Sequence, residues 1–382
     1  MTNQKKKGTD VLYALIAQAR SYPDAIVMGR GDPDFDTPPY IIEAARQAML
    51  EHGNDYTPPE GILPLRQAIA ERVARINHIQ VDPETEVVVT NGGQEALFLM
   101  VATAIGEGDA LLVPEPNYNT YNDALRFVRG LKIAVPTYRE ENFRVDPQRV
   151  REAITPKARA MLLVSPNNPT ASVIAPEDVR ALVQVAQEHD LLILSDEIYD
   201  VFLYDGSVHL SPAAVPGGKE RTLTLNALSK SFAMTGWRIG WLVGPADLMA
   251  QVRRLKAAVT GAASIVTQYA ALAALTDPRD SVEEMLGAYE RRRRIVMDAL
   301  DSLEIAYGVP QGGQFLFADV TFSGMSAVDL SQRILEEEHV LVYPGTSFGW
   351  DNYLRITFLQ PEEKLQEGME RVKRAMARIF PR

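Results

Sequence analysis

Lys230 stands in the stretch "TLTLNALSKSFAMTGWRIGWLVGP" (222–245), between an apolar, β-branched run and a segment spaced by glycines. A lysine loses much rotamer freedom when ordered and is rarely buried without a reason. Its place at the end of an apolar run therefore has two readings: a surface lysine on a loop, or an amine held out of water so that it can form a Schiff base. Three more polar clusters end apolar runs. In "TNGGQEAL" (90–97) paired glycines lead into a helix whose free amides and positive dipole end suit a phosphate, although glycine at such a turn is commonplace. "SPNNPTA" (165–171) reads by itself as a polar proline turn. "SDEIYDVF" (195–202) sets Asp196 and Tyr199 after an apolar run, where an aspartate is more often a helix cap than a catalyst.

The elements that must hold these clusters recur along the chain. "EVVVT" (86–90), "ALLVPEP" from 110, "LKIAVP" from 131, "AMLLVSP" from 160, "LLILSDE" from 191, "TLTLN" from 222 and "IGWLVGP" from 239 are apolar throughout and do not alternate. Such runs suit strands covered on both faces. Helical patterns separate several of them. "PEDVRALVQVAQEHD" (176–190) opens on proline and acids, as a helix start should, and "QEALFLMVATAIGEG" begins at Gln94. Strand and helix in alternation predict an α/β fold built on a mostly parallel sheet of about seven strands covered by helices, with ligands at the carboxyl ends of the strands. After about residue 280 a long charged helix leads to "GGQFLFADV", another helix and "YLRITF", which reads as a smaller α+β C-terminal domain. The expected division is an arm with part of the small domain over 1–45, a large domain over 46–280 and the small domain over 281–382.

Composition narrows the chemistry. A net charge of −11 over 382 residues leaves no basic surplus for phosphates and argues against nucleic acid. Arg291 to Arg294 read as a solvated helix face. No cysteine is present, which excludes thiolate catalysis and disulfides, and five scattered histidines offer no pair at metal-ligand spacing. They read as surface or loop-packing residues, and no metal is expected. The basic start, "MTNQKKKGTD", lacks the apolar stretch of a signal peptide, and no run is long enough to span a membrane, so a soluble cytoplasmic protein is expected.

Together and in this order, the four clusters resemble the pyridoxal-phosphate-dependent aminotransferases of the aspartate aminotransferase-like superfamily (class I/II, fold type I). The resemblance runs over essentially the whole chain, through "GDPDFDTPP" from Gly31, "YTPPEGILPLRQAIA" from Tyr56, "VYPGTSFG" from Val342 and "YLRITF" from Tyr353. It implies that Lys230 carries pyridoxal 5'-phosphate as a Schiff base and then serves as general base. Asp196 would pair with the pyridine nitrogen, while Tyr199 and Asn168 would hydrogen-bond the phenolic oxygen and Tyr118 would stack on the ring. Gly92, Gly93 and Gln94, with Ser229 and Arg238, would hold the phosphate. Tyr56 would reach the phosphate of a second subunit, which implies a homodimer with shared active sites. Arg355 would grip the substrate α-carboxylate through its fork, beside Asn168 and the backbone of Gly31.

Three positions depart from the common pattern of that family. Ala171 stands where glycine is usual, and Ala227 stands where some relatives have a phosphate-binding serine. Arg30, beside Gly31, reads as an outward-facing side chain with substrate reading as the alternative. Bacterial aspartate aminotransferases that resemble this chain often carry lysine after the paired glycines, facing a distal carboxylate; here Gln94 is neutral, and "TGAASIVTQ" (260–268) supplies no cation. A transaminase acting on neutral, aromatic or other apolar L-amino acids and a 2-oxo acid by a ping-pong mechanism is therefore expected. The alternatives are an aspartate aminotransferase proper, a C–S lyase or decarboxylase on the same fold, and a non-catalytic regulator, against which the intact lysine argues. A nicotinamide dehydrogenase fails for want of a G-x-G-x-x-G after the first strand.

Overall fold

A computed structural model describes residues 8–53, 55–277 and 281–381; the basic stretch at 1–7 lies outside them. After a first helix, Gly8–Ala19, the chain forms β1 (Ile26–Val27) and then the large sheet. That sheet contains β2 (Val87–Thr90), β3 (Ala110–Glu115), β4 (Leu131–Pro136), β5 (Ala158–Val164), β6 (Leu192–Asp196), β7 (Thr222–Ala227) and β8 (Gly240–Val243). Its order is β2-β8-β7-β6-β5-β3-β4, and only β8 runs against its neighbours. The expected seven-stranded, mostly parallel sheet is the one observed. Helices cover it: Leu97 and Met100 of Gly93–Ala104 pack on Leu223, Leu225 and Leu242 on one face, and Val179, Leu182 and Val183 of Pro176–Glu188 pack on Met161 and Ile193 on the other.

Parallel strands bring their carboxyl ends to one edge, and the register aligns them. Val164 pairs with Asp196 across β5 and β6, and Thr90 and Ala227 both pair with Gly240. The polar clusters that follow these residues are thereby neighbours in space. The strand at 131–136 is a correction: β4 forms the edge of the sheet, and Leu131, Lys132, Ala134 and Pro136 are exposed instead of covered on both faces.

The small C-terminal domain carries an antiparallel sheet of β11 (Tyr343–Pro344), β12 (Tyr353–Thr357) and β9 (Phe315–Asp319), with β10 (Val340–Leu341) pairing parallel to β1. Helices Ser281–Ser302, Ala327–Glu338 and Glu362–Ile379 pack around it. Ile26 and Met28 enter the same core as Leu316, Ile356 and Met369, so the segment that follows the first helix is built into this domain.

The four-arginine run is not a solvated face. Four consecutive helical residues fan out over about 300° of the helix circumference at 3.6 residues per turn, so part of the run must point inward. Arg292 and Arg293 do, and are buried, while Arg291 and Arg294 are exposed. Arg292 donates to both oxygens of Asp34 at 2.7 and 2.9 Å and so ties the "GDPDF" loop to helix Ser281–Ser302. Arg293 does the same to Asp205.

Candidate active site

A cleft of about 630 Å³ opens where the carboxyl edge of the large sheet faces β12 and the first helix. Its walls bring together Gly31, Gly93, Gln94, Tyr118, Asn168, Asp196, Tyr199, Ser229, Lys230, Arg238 and Arg355, residues drawn from seven separate stretches of sequence. Gly92 lies directly against the Arg238 side chain. Tyr56 alone among the expected residues is elsewhere, fully exposed in the segment that follows helix Pro39–His52.

Lys230 extends from a short helix, Leu228–Ser231, that begins where β7 stops. Its amine donates to the carbonyl of Gly31 at 2.6 Å. Burial pulls its pKa down to about 8, with the Asp32 carboxylate opposing and the Arg355 and Arg238 guanidiniums assisting. An amine so tuned exchanges a proton readily near neutral pH. A Cβ on Gly31 would sit 3.9 Å from this amine, at ordinary contact distance, so the amine lies directly against the Gly31 backbone.

Asp196 ends β6 with its carboxylate buried. It accepts from the Tyr121 hydroxyl at 2.7 Å and from the Ile198 amide at 3.2 Å. Burial pushes its pKa up to about 6; the two donors pull down and the Glu197 and Asp200 carboxylates push up. Tyr199, three residues on, is buried in the same wall, and burial raises its hydroxyl far above the usual value.

The phosphate-type cradle is built by backbone geometry. Gly92 holds φ +78°, ψ 174°, a conformation essentially restricted to glycine. A Cβ there would lie 2.6 Å from Arg238 Nη2, so the missing side chain lets the guanidinium lie over the start of helix Gly93–Ala104. Arg238 is itself in the left-handed region at φ +55° and donates to the Thr235 carbonyl at 2.9 Å. Glu95, in the first turn, accepts from the Asn91 amide and from the buried Lys256 amine at 2.9 Å, which pins the turn from below. A cation over free helical amides binds a dianionic phosphate, and Ser229 adds a hydroxyl in the same wall where Ala227 has none.

Arg355 lies in mid-strand β12, opposite Phe317 and Tyr343 in the ladder, and is buried. It donates to Asn168 Oδ1 at 2.8 Å and to the Gly29 carbonyl at 2.6 Å, while its buried Nε has no hydrogen-bond partner. The rings of Phe348, Phe315 and Tyr343 surround it at 4.6 to 5.4 Å. Among the described residues no carboxylate pairs with it, and burial lowers its pKa. A desolvated guanidinium with spare donors facing a cleft is a carboxylate receptor. Ala171, in the turn after Asn168, adopts φ +59° and is fully buried, so the alanine fills a backbone position that glycine would hold without strain.

Sequence reasoning did not find Tyr121, the rings around Arg355, or the first helix, whose Leu12, Tyr13 and Ile16 close one side of the cleft. It also missed the rear half of the "SDEIYD" motif. Ser195, Glu197 and Asp200 point away from the cleft into a buried network. There Arg72 makes a double hydrogen bond to Asp200 at 2.8 Å, Asn77 donates to Glu197 at 2.7 Å, and Ser195 and Ser211 both donate to Glu197. His209 joins this network, its ring nitrogen 3.1 Å from Glu197 with the side chain almost wholly buried, so of the two expected readings it is a loop-packing histidine and not a surface one. Arg30 points outward and pairs with Asp32 at 2.6 Å.

Residues 23–372 match the family model described as aminotransferase class I and II. The chain is 37% identical to aromatic-amino-acid aminotransferase 2 of Thermococcus litoralis, covering 94% of this chain and 93% of that one. It is 38% identical to arginine–pyruvate transaminase of Pseudomonas aeruginosa, covering 97% and 95%. Among solved structures, aspartate aminotransferase from Thermus thermophilus with maleate superposes with a TM-score of 0.92 at 37% identity, covering 97% of both chains. No helix among the described residues is long and apolar enough to cross a membrane.

Proposed function

The chain belongs to the class I and II aminotransferases, and on that premise we propose that it binds pyridoxal 5'-phosphate and moves an amino group between a neutral, preferably aromatic, L-amino acid and a 2-oxo acid. The observation that carries this reading is the convergence of Lys230, Asp196 and Arg355 on one cleft from three distant parts of the chain. The donor set fits the cofactor: an anion cradle at Gly92, Gly93, Gln94, Ser229 and Arg238, a buried carboxylate at Asp196 and a desolvated amine at Lys230. When bound, the cofactor supplies the electron-withdrawing ring on which the amino group is carried between substrates.

The protein's own residues do the rest. With the cofactor bound, Asp196 would hold a proton at the ring nitrogen by charge. Tyr199 and Asn168 would donate toward the phenolic oxygen, and Tyr118 would lie against the ring. Lys230 would hold the cofactor through its amine and would move a proton to and from the substrate α-carbon. Arg355 binds the α-carboxylate with the N–H groups that Asn168 and Gly29 leave free, which fixes the α-carbon near the Lys230 amine. The first helix, through Leu12, Tyr13 and Ile16, keeps water from that side.

A homodimer completes the site in this reading, with Tyr56 reaching the neighbouring subunit's phosphate. Its support is the exposure of Tyr56 together with Ile42, Met49 and Leu50 on the preceding helix, an apolar set suited to burial against a second copy. The preference for neutral donors rests on charge. The lining cations Lys230, Arg238 and Arg355 all have roles at the cofactor or the α-carboxylate, and the remaining charged lining residues, Asp32 and Asp123, are acidic. A distal carboxylate would be desolvated there without a counter-charge. The same two aspartates favour a second reading, a basic donor. The test is to titrate the loaded enzyme with phenylalanine, tyrosine, methionine, alanine, arginine and aspartate, following conversion of the cofactor to its amine form. Aromatic donors should exceed aspartate in kcat/KM. A tenfold preference for aspartate, about 1.4 kcal/mol, would refute the neutral-donor reading.

A further inference from the structure

Tyr121 touches neither the cleft nor any group so far given a role, except one. It lies in helix Thr120–Phe127, one turn after Tyr118, whose ring lines the cleft. Its own ring is fully buried in the apolar layer between that helix and the sheet, and its hydroxyl donates to Asp196 Oδ2 at 2.7 Å. The Ile198 amide takes the other oxygen. Among the described residues these are the hydrogen bonds to that carboxylate.

We infer that Tyr121 is a positioning residue of the transamination site: its hydroxyl fixes the rotamer of Asp196 and stabilises the carboxylate as an anion toward the cofactor's ring nitrogen. The inference rests on the cofactor reading above. Turning Asp196 away would leave a buried hydroxyl and a buried carboxylate oxygen unsatisfied together, so one orientation is enforced. The surroundings make the donor matter. Tyr118, Tyr199 and Lys230 share the cleft with Asp196; Glu197 and Asp200 follow it in the turn, with Arg72 and His209 behind them. Burial and the two neighbouring carboxylates all oppose its charge, and the hydrogen bonds from Tyr121 and Ile198 favour it. Without Tyr121, a single backbone amide holds the anion.

The test uses the cofactor-loaded Tyr121→Phe enzyme and two readouts: the pH titration of the bound cofactor's absorbance, and the pH profile of kcat and KM with the best donor. The acid limb of kcat should move upward by about one pH unit, the equivalent of one lost hydrogen bond to a charged group. The absorbance titration should move with it. Loss of rate should approach tenfold on the acid side and shrink as pH rises, with KM little changed. In an Asp196→Asn background, adding Tyr121→Phe should change neither readout by more than about twofold, since the shared partner is gone. A tyrosine that only fills space would leave the acid limb within about 0.2 unit of the wild type, with any loss uniform across pH, and that result overturns the inference. Full additivity in the double variant overturns it as well. If wild type and variant both fail to take up the cofactor, the functional reading falls, and this inference falls with it.

Discussion

Replacing Arg355 by lysine keeps a positive charge and removes a shape. The guanidinium spends one N–H on Asn168 at 2.8 Å and one on Gly29 at 2.6 Å, out of the five it has. Of the rest, the Nε–H is buried, which leaves the second N–H of each Nη for a substrate carboxylate. An ammonium has three donors at one point and cannot serve both protein acceptors and two carboxylate oxygens in a plane. Losing one charge-assisted hydrogen bond to the substrate costs about 1.5–3 kcal/mol, and weaker stacking among Phe348, Phe315 and Tyr343 adds about 0.5–1 kcal/mol. The sum, about 2–4 kcal/mol, corresponds to roughly a 30- to 1,000-fold loss in kcat/KM. Most of it should appear in KM for the amino acid and the 2-oxo acid alike, because both carry the α-carboxylate. A pH signature should accompany it. Burial already pulls Arg355 downward, where an arginine has ample reserve, but a lysine in the same site loses its charge as pH rises. KM of the variant should therefore climb from neutral pH to pH 9 while that of the wild type stays level. Steady-state kinetics at three pH values decide the matter. A change of less than about threefold in kcat/KM would mean that the carboxylate is read elsewhere.

Gly92→Ala should strain a φ of +78° and push Arg238 off the helix start, at a backbone cost of about 1–3 kcal/mol. Equilibrium dialysis should give a cofactor Kd raised at least tenfold, and an unchanged Kd would remove the cradle from the account. His209→Gln tests the rear network through stability. Burial alone would lower the imidazole pKa, but the Glu197 carboxylate outweighs it and the folded value is raised. The ionised form therefore stabilises the fold fully below the unfolded value, about 6.5, and that contribution is lost as pH rises through the folded value. The Tm gap between wild type and variant should be widest at pH 5.5–6 and narrow at pH 8; a gap that widens with pH would contradict this pairing.

What could be read from the sequence follows a physical rule. Apolar runs with polar ends declared the sheet and its catalytic edge, because buried strands need continuous apolar residues and functional groups gather where strands stop. The strand-end places of Lys230, Asp196, Tyr199 and Asn168 were legible for that reason, whereas their roles were legible only through the family resemblance. β4 was misjudged because an edge strand can be as apolar as a central one, and sequence does not give strand order. Arg292 and Arg293 were hidden inside a run of like residues, although the helical period requires some of any four to face inward. Tyr121 carried a usable signal, its spacing of three from Tyr118 just ahead of the helix, but its partner Asp196 lies 75 residues away. His209 and Glu197 meet only through the fold of the loop after β6, and nothing local announces their contact.

The central claim is that Lys230 is the residue that holds the cofactor. Borohydride reduction of the loaded wild-type protein, followed by proteolysis and mass spectrometry, tests it directly. The account predicts a pyridoxyl label on Lys230 in near-stoichiometric yield and no label in Lys230→Ala, with the variant still retaining cofactor through Arg238, Gly93 and Asp196. A label on another lysine, or equal labelling of the variant, would contradict it.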